Sequence, residues 1–163
     1  MNRITYNYKF HCEEVVDGRT MAGIIDMGFR DYKRRHLQLA GMEFPNFQKI
    51  RDKDEKARAR KLWESSKSGL ESILLYRDHE PAQPHGRTIV IAPYNPNRNG
   101  RCLTNAYVPC RQESFDHPHL TRRIAGYVFL NVVHYLQYIG ERGFDLNAGL
   151  EILDLLEPYD FDK

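Results

Sequence analysis

The stretch Tyr6-Asn7-Tyr8-Lys9-Phe10-His11-Cys12, with Asp17-Gly18-Arg19-Thr20 and Met21 to Met27 behind it, decides the fold. The opening residues alternate in part and are rich in aromatics, which suit a pleated, half-buried surface. Asp17-Gly18 is a turn signal of the hairpin kind. Met21 to Met27 then reads as a second strand, broken at Gly28. Lys33 to Leu39 reads as a third, with Leu37 and Leu39 on one face and Pro45-Asn46 ending it. Residues 47–69 are helix-like, because Lys56 to Trp63 are mostly good helix formers, and Gly69 is the expected stop. Pro81, Pro84 and Gly86 mark a loop over 77–87. Thr88 to Ala92 and Cys102 to Val108 pair as a hairpin around Asn95 to Gly100, and 111–119 is another loop. Ile124, Val128, Val132, Leu136 and Ile139 recur at helical spacing, which predicts one long helix from Leu120 to Ile139, stopped by Gly140 and Gly143. A short helix follows over Ala148 to Leu156. Strands, helix, hairpin and helix in this order predict an α+β protein built on a small Greek-key barrel with about three helices.

The chain has 163 residues, enough for one domain with a real core. The 28% charged content and the lack of a long apolar run argue against a transmembrane helix. The start, Met1 to Tyr6, carries no apolar leader, and Cys12, Cys102 and Cys110 show no metal-like spacing. A cytoplasmic, reducing location is therefore expected. The net charge of +2 hides an asymmetry. Residues 30–67 hold twelve Lys/Arg against six Asp/Glu, whereas 141–163 hold two against seven. A basic middle attracts phosphate backbones. Arg30-Asp31-Tyr32-Lys33-Arg34-Arg35-His36 concentrates that charge beside an aromatic ring.

Three fragments in order resemble the thermonuclease (staphylococcal nuclease-like) family. Its Val-Asp-Gly-Asp-Thr turn is similar to Val16-Asp17-Gly18-Arg19-Thr20. Its Arg-Leu-x-Gly-Ile-Asp-x-Pro-Glu segment is similar to Gln38-Leu39-Ala40-Gly41-Met42-Glu43-Phe44-Pro45-Asn46. Its Tyr-Gly-Arg-x-Leu strand looks like Asn99-Gly100-Arg101-Cys102-Leu103, with His85-Gly86-Arg87 as a rival. The resemblance covers roughly residues 5–140. It implies an OB-type barrel over 1–145, with a short helix and acidic tail over 146–163 belonging to the same domain.

The family cleaves phosphodiesters with Ca2+ held by two aspartates, a glutamate that activates water, and two arginines that neutralise phosphate. Carried over, the metal aspartates become Arg19 and Glu43, the glutamate becomes Asn46, and the arginines become Gln38 and Arg101. Arg101 and Glu43 are thus the family's catalytic positions, and Asp17 and Glu43 are weak metal candidates. Losing an oxyanion donor costs ~10²–10³ in rate and losing a general base a further ~10²–10⁴. The resemblance therefore implies a degenerate nuclease, with no cofactor unless the Ca2+ site survives.

The expected ligand is nucleic acid or a nucleotide, held by Arg19, Gln38, Arg101 and Arg87 at the former phosphate pocket and by Tyr32, Lys33, Arg34 and Arg35 along the basic run. Arg19 paired with Glu43 across the old metal site is a further expectation. Asp17, Glu43 and His85 form an alternative metal set, and Cys110, His117 and His119 a possible zinc set. Tyr127, Phe129, Tyr135 and Tyr138 crowd the long helix and favour burial or a protein partner, a homodimer included. The rival functions are a protein-binding module, such as a phage or mobile-element factor acting on a host protein, and an active nuclease with a rearranged site. No membrane contact is expected.

Overall fold

The computed structural model describes residues 7–42, 47–75, 86–94 and 102–156, and Phe47 only in its backbone. Strands β1 (Tyr8–Asp17), β2 (Thr20–Asp26) and β3 (Tyr32–Leu39) form a meander. Helix α1 (Lys53–Leu74) follows, then β4 (Thr88–Pro93) and β5 (Cys102–Cys110). β1 pairs with β2 and β4, β4 with β5, and β5 closes onto β3 in parallel through Leu37↔Cys102, Gln38↔Leu103 and Leu39↔Thr104. The strand circuit 1-2-3-5-4-1, with the helix between β3 and β4, is the OB-type barrel of an α+β protein.

A bulge lets β1 serve this closure. Phe10 and Cys12 face the core, Glu13 and Glu14 are both exposed, and Val15 is again inward. The extra residue resets the inward phase and bends the strand. The β1–β2 turn is fastened to α1, where the Ser66 hydroxyl donates to the Gly18 carbonyl at 3.1 Å. A Cβ on Gly18 would lie 2.7 Å from the Ser66 oxygen, so glycine is needed there for closeness.

α1 is capped by Asp52, whose carboxylate accepts from the Asp54 amide at 3.2 Å, and Asp54 and Glu55 sit favourably in its first turn. The helix does not stop at Gly69. It runs on to Leu74, with Leu70, Ile73 and Leu74 fully buried. Gly69 is a packing contact, since a Cβ there would come within 2.8 Å of Ile139 Cδ1 on the second helix. The missing side chain lets the two helices touch, which outweighs the poor helix propensity of glycine.

The single helix expected from Leu120 to Ile139 is instead a hairpin and a shorter helix. β6 (Thr121–Ile124) and β7 (Tyr127–Asn131) pair antiparallel, and only Val132–Gly140 is helical, as α2. Ala125 and Gly126 both take left-handed φ, 50° and 85°, as a two-residue hairpin of the primed kind requires. A four-residue spacing of Ile124, Val128 and Val132 is also an even spacing, so it suits a strand face as well as a helix face. Thr121, Ile124, Tyr127, Val128 and Phe129 tip the balance toward strand. Asn131 then begins α2 by accepting from the His134 amide at 3.1 Å.

β7 pairs with the far half of β5, so the sheet continues beyond the barrel as β5-β7-β6. The C-terminal segment, a 3-10 turn (Leu146–Gly149) and α3 (Leu150–Leu153), packs Ile152 and Leu156 into the same core as the barrel. Of the described helices, none is long and apolar enough to cross a membrane.

Candidate functional site

The candidate residues fall into separate places. The first is the barrel end where the β1–β2 turn, the end of β3 and the start of β5 meet. Arg19 is half-buried in the turn, and its amide donates to Asp17 Oδ1 at 2.9 Å. One carboxylate oxygen of Asp17 is therefore engaged in turn geometry. The Arg19 carbonyl accepts from the Leu39 amide at 2.7 Å, and Gln38 pairs with Thr20 on one side and Leu103 on the other. Arg19, Gln38 and the entry to β5 are thus neighbours. Thr20 is 6% exposed, and its hydroxyl has no hydrogen-bond partner among the described residues. Glu43, Asn46, His85 and Arg101 lie outside the described residues, so the Arg19–Glu43 pair, the metal set with His85 and the Arg101 anchor stay as expectations.

Arg87 does not join this group. Its amide donates to the Leu74 carbonyl and its carbonyl accepts from the Cys12 amide at 3.0 Å. From Cys12 to Asp17 is roughly 17 Å along the strand at about 3.3 Å per residue, allowing for the bend.

The second place is an arm. Residues Tyr32 to His36 of β3 are exposed one after another, although a strand in a barrel normally alternates. Among the described residues, β5 covers the outer edge of β3 from Leu37 onward, while β2 pairs with its whole length, from Thr20↔Gln38 to Asp26↔Tyr32. The β2–β3 hairpin therefore extends past the described β3–β5 pairing. Lys33 and Arg35 continue the side of Leu37, and Tyr32, Arg34 and His36 occupy the other. Arg34 forms an ion pair with Glu13 on β1, a solvent-exposed pair of small energetic weight. Lys33 and Arg35 lie roughly 17 Å and 10 Å from Gln38 along the strand.

The tip of the arm was not evident from the sequence. The Met27 amide donates to the Asp31 carbonyl at 2.8 Å, the Asp31 amide to the Gly28 carbonyl at 2.9 Å, and the Gly28 amide to Asp26 Oδ1 at 2.9 Å. These bonds hold Gly28, Phe29 and Arg30 in consecutive left-handed conformations, at φ 85°, 53° and 62°. Phe29 is fully exposed, at 106%, and Tyr32 is 62% exposed. Gly28 was legible as a strand end. The available signal for the tip was an apolar residue between that glycine and a basic run.

A third surface lies on the β6–β7 extension. Arg111, Glu113, Phe115, Arg123 and Tyr127 line a shallow groove of about 350 Å³. Phe115 is 86% and Tyr127 67% exposed, and Arg123 pairs with Glu113 at 3.2 Å. The aromatics expected on one helix are divided: Phe129 and Tyr135 are buried, Tyr138 is half-buried and Tyr127 faces solvent. Tyr138 meets His117 Nε2 at 3.2 Å through its hydroxyl, and the Arg142 guanidinium sits 3.8 Å above its ring.

The zinc set does not assemble. Cys110 is buried in β5, His117 turns to Tyr138, and no three metal-ligating side chains converge among the described residues. The backbone of β5 points Cys110 into the core, which spacing alone does not reveal. Comparison with known proteins finds no family model, no curated protein and no solved structure that matches the chain.

Proposed function

We propose that this protein is a non-cleaving OB-type barrel that binds nucleic acid, holding the phosphate backbone on the β2–β3 arm. One observation carries the reading: Lys33, Arg34, Arg35 and Arg30 are exposed together with Tyr32 and Phe29 on one hairpin. Exposed cations on a strand edge also keep that edge from pairing with another chain. Edge protection alone gives no reason for a fully exposed phenyl ring at the tip. Cations that track a backbone beside aromatic faces are the usual equipment of strand-binding barrels. Arg19 and Gln38 supply a second contact for a phosphate or nucleotide at the barrel end.

The lack of cleavage rests on the resemblance to thermonucleases, with Arg19 where a metal aspartate belongs and Asn46 where the water-activating glutamate belongs. A cation cannot bind Ca2+, and an amide cannot take a proton.

The test is anisotropy with labelled oligonucleotides over a salt series. Log affinity should fall with log salt at a slope of about −2 to −3, from roughly 0.7 per phosphate contact on single strands. Lys33→Ala should flatten it by about 0.7. A flat salt response, or full affinity in a Lys33→Ala/Arg35→Ala variant, sinks the arm. Chelator-sensitive cleavage that Glu43→Ala abolishes would instead make the protein an active, metal-dependent nuclease.

A protein-binding module is the second reading, favoured by the exposed Phe115 and Tyr127 beside the groove on the β6–β7 extension. Paired solvent-facing aromatics beside charged residues are common interface anchors. It gains if no oligonucleotide binds and Tyr127→Ala disrupts a protein complex.

A further inference from the structure

We propose that Phe29 and Tyr32 are base-stacking residues, so that the arm takes unpaired strands in preference to duplex; this rests on the nucleic-acid reading above. The tip is built to keep Phe29 out of the protein. Three hydrogen bonds close the loop from Asp26 to Asp31, and the consecutive left-handed residues Phe29 and Arg30 turn the phenyl away from the sheet. L-residues adopt that conformation at a cost, and a large apolar ring in water adds to it. Strain of this sort persists where the surroundings fix it, and it clusters at ligand-gripping positions.

Tyr32 is placed three positions further on, across from Asp26 at the base of the loop, and is itself mostly exposed. Two aromatic faces near the head of a cationic strand match the chemistry of a single strand. Its bases offer open π-faces, and its phosphates reach Arg30 at the tip and Arg34 on the same side of β3 as Tyr32, with Lys33 and Arg35 adding charge from the other side. In a duplex those faces are already stacked, and a ring can enter only by unstacking a step. The preference therefore follows from ring accessibility on both partners, whereas the cations alone would favour the denser charge of a duplex.

The experiment compares four probes: an oligo-dT strand, an abasic strand of the same length, and duplexes of two lengths. The unmodified protein should bind oligo-dT at least about ten-fold more tightly than the abasic strand, and Phe29→Ala should erase most of that difference while leaving duplex affinity unchanged. Phe29→Tyr should restore it, and Phe29→Leu, apolar but without a π-face, should not. A Phe29→Trp/Trp63→Phe protein should show indole emission quenched by oligo-dT and not by the abasic strand.

Equal binding of dT and abasic strands, or full rescue by Phe29→Leu, overturns stacking. If Lys33→Ala/Arg35→Ala still lowers affinity in that case, the nucleic-acid reading stands without it. If the unmodified protein binds none of the probes, both fall together.

Discussion

At the scale of single residues, Cys12 shows how burial sets chemistry. It is fully buried in β1 at the bulge, and desolvation pushes its thiol from 9.0 up to about 12, with the neighbouring Glu13 and Glu14 adding to the effect and a backbone bond to Glu14 opposing it. The thiolate is the reactive form. At pH 8 an alkylating reagent should therefore label Cys102, which is half-exposed, well before Cys12. Labelling of Cys12 at the same rate in folded protein would contradict its burial.

The linkage has a definite sign. Well below pH 9.0 the thiol is protonated in both states and contributes no pH dependence. Between 9.0 and about 12 the unfolded chain loses the proton and the folded chain keeps it. Stability then falls as pH rises, by up to about 1.4 kcal/mol per unit. Cys12→Val should remove that part of the slope in urea titrations from pH 8 to 11, the tyrosines and lysines common to both proteins cancelling in the comparison.

At the scale of elements, the barrel depends on close backbone approach as much as on apolar contact. Gly23 of β2 faces β1 at its bulge, where a Cβ would lie 2.0 Å from the His11 carbonyl oxygen and 2.9 Å from the Phe10 ring. Backbone cannot yield as a side chain can. Gly23→Ala should cost about 3 kcal/mol in urea unfolding, at the upper end of ordinary overpacking. A loss under ~0.5 kcal/mol, the size of an ordinary surface change, would mean that the strands part more easily than their pairing implies.

The same element shows what could be read in the sequence. β2, β3 and β4 follow from alternation and turn chemistry, since Met21, Leu37, Leu39, Ile89 and Ile91 all face the core as the pattern requires. The segment from Leu120 to Ile139 does not, because an even spacing of apolar residues is shared by both periods. The pair Ala125-Gly126 was the discriminating signal, and an alanine in left-handed conformation carries little local signature. The bulge in β1 and the extension of α1 through Gly69 are tertiary effects, fixed by which surfaces meet. The candidate site was legible in part. The basic run announced the arm through its charge, but only the described β3–β5 pairing, which begins at Leu37, shows where along β3 the burial starts.

At the scale of the whole molecule, stability should be graded along one strand. Leu37 and Leu39 are buried and lie between β2 and β5, whereas Tyr32 to His36 are exposed and, among the described residues, pair with β2 alone. Amides held by few buried apolar contacts open locally at a small fraction of the global free energy. Hydrogen exchange should therefore be slow at Leu37 and Leu39 and at the β1 and β4 positions around Phe10 and Ile89, and faster by orders of magnitude toward Lys33 and Tyr32. Binding changes the gradient in a way that locates the ligand. A strand of nucleic acid held on the arm stabilises the bound form by mass action, by ~2.7 kcal/mol at a hundred-fold excess over Kd. That gain should appear as slower exchange from Asp26 through His36, with little change in the core, which already opens only globally. Protection that rises instead around Thr20, Gln38 and Leu103 would move the principal contact to the barrel end. Protection confined to β6 and β7 would assign the ligand to the groove beside Phe115 and Tyr127 and leave the arm as a guarded edge.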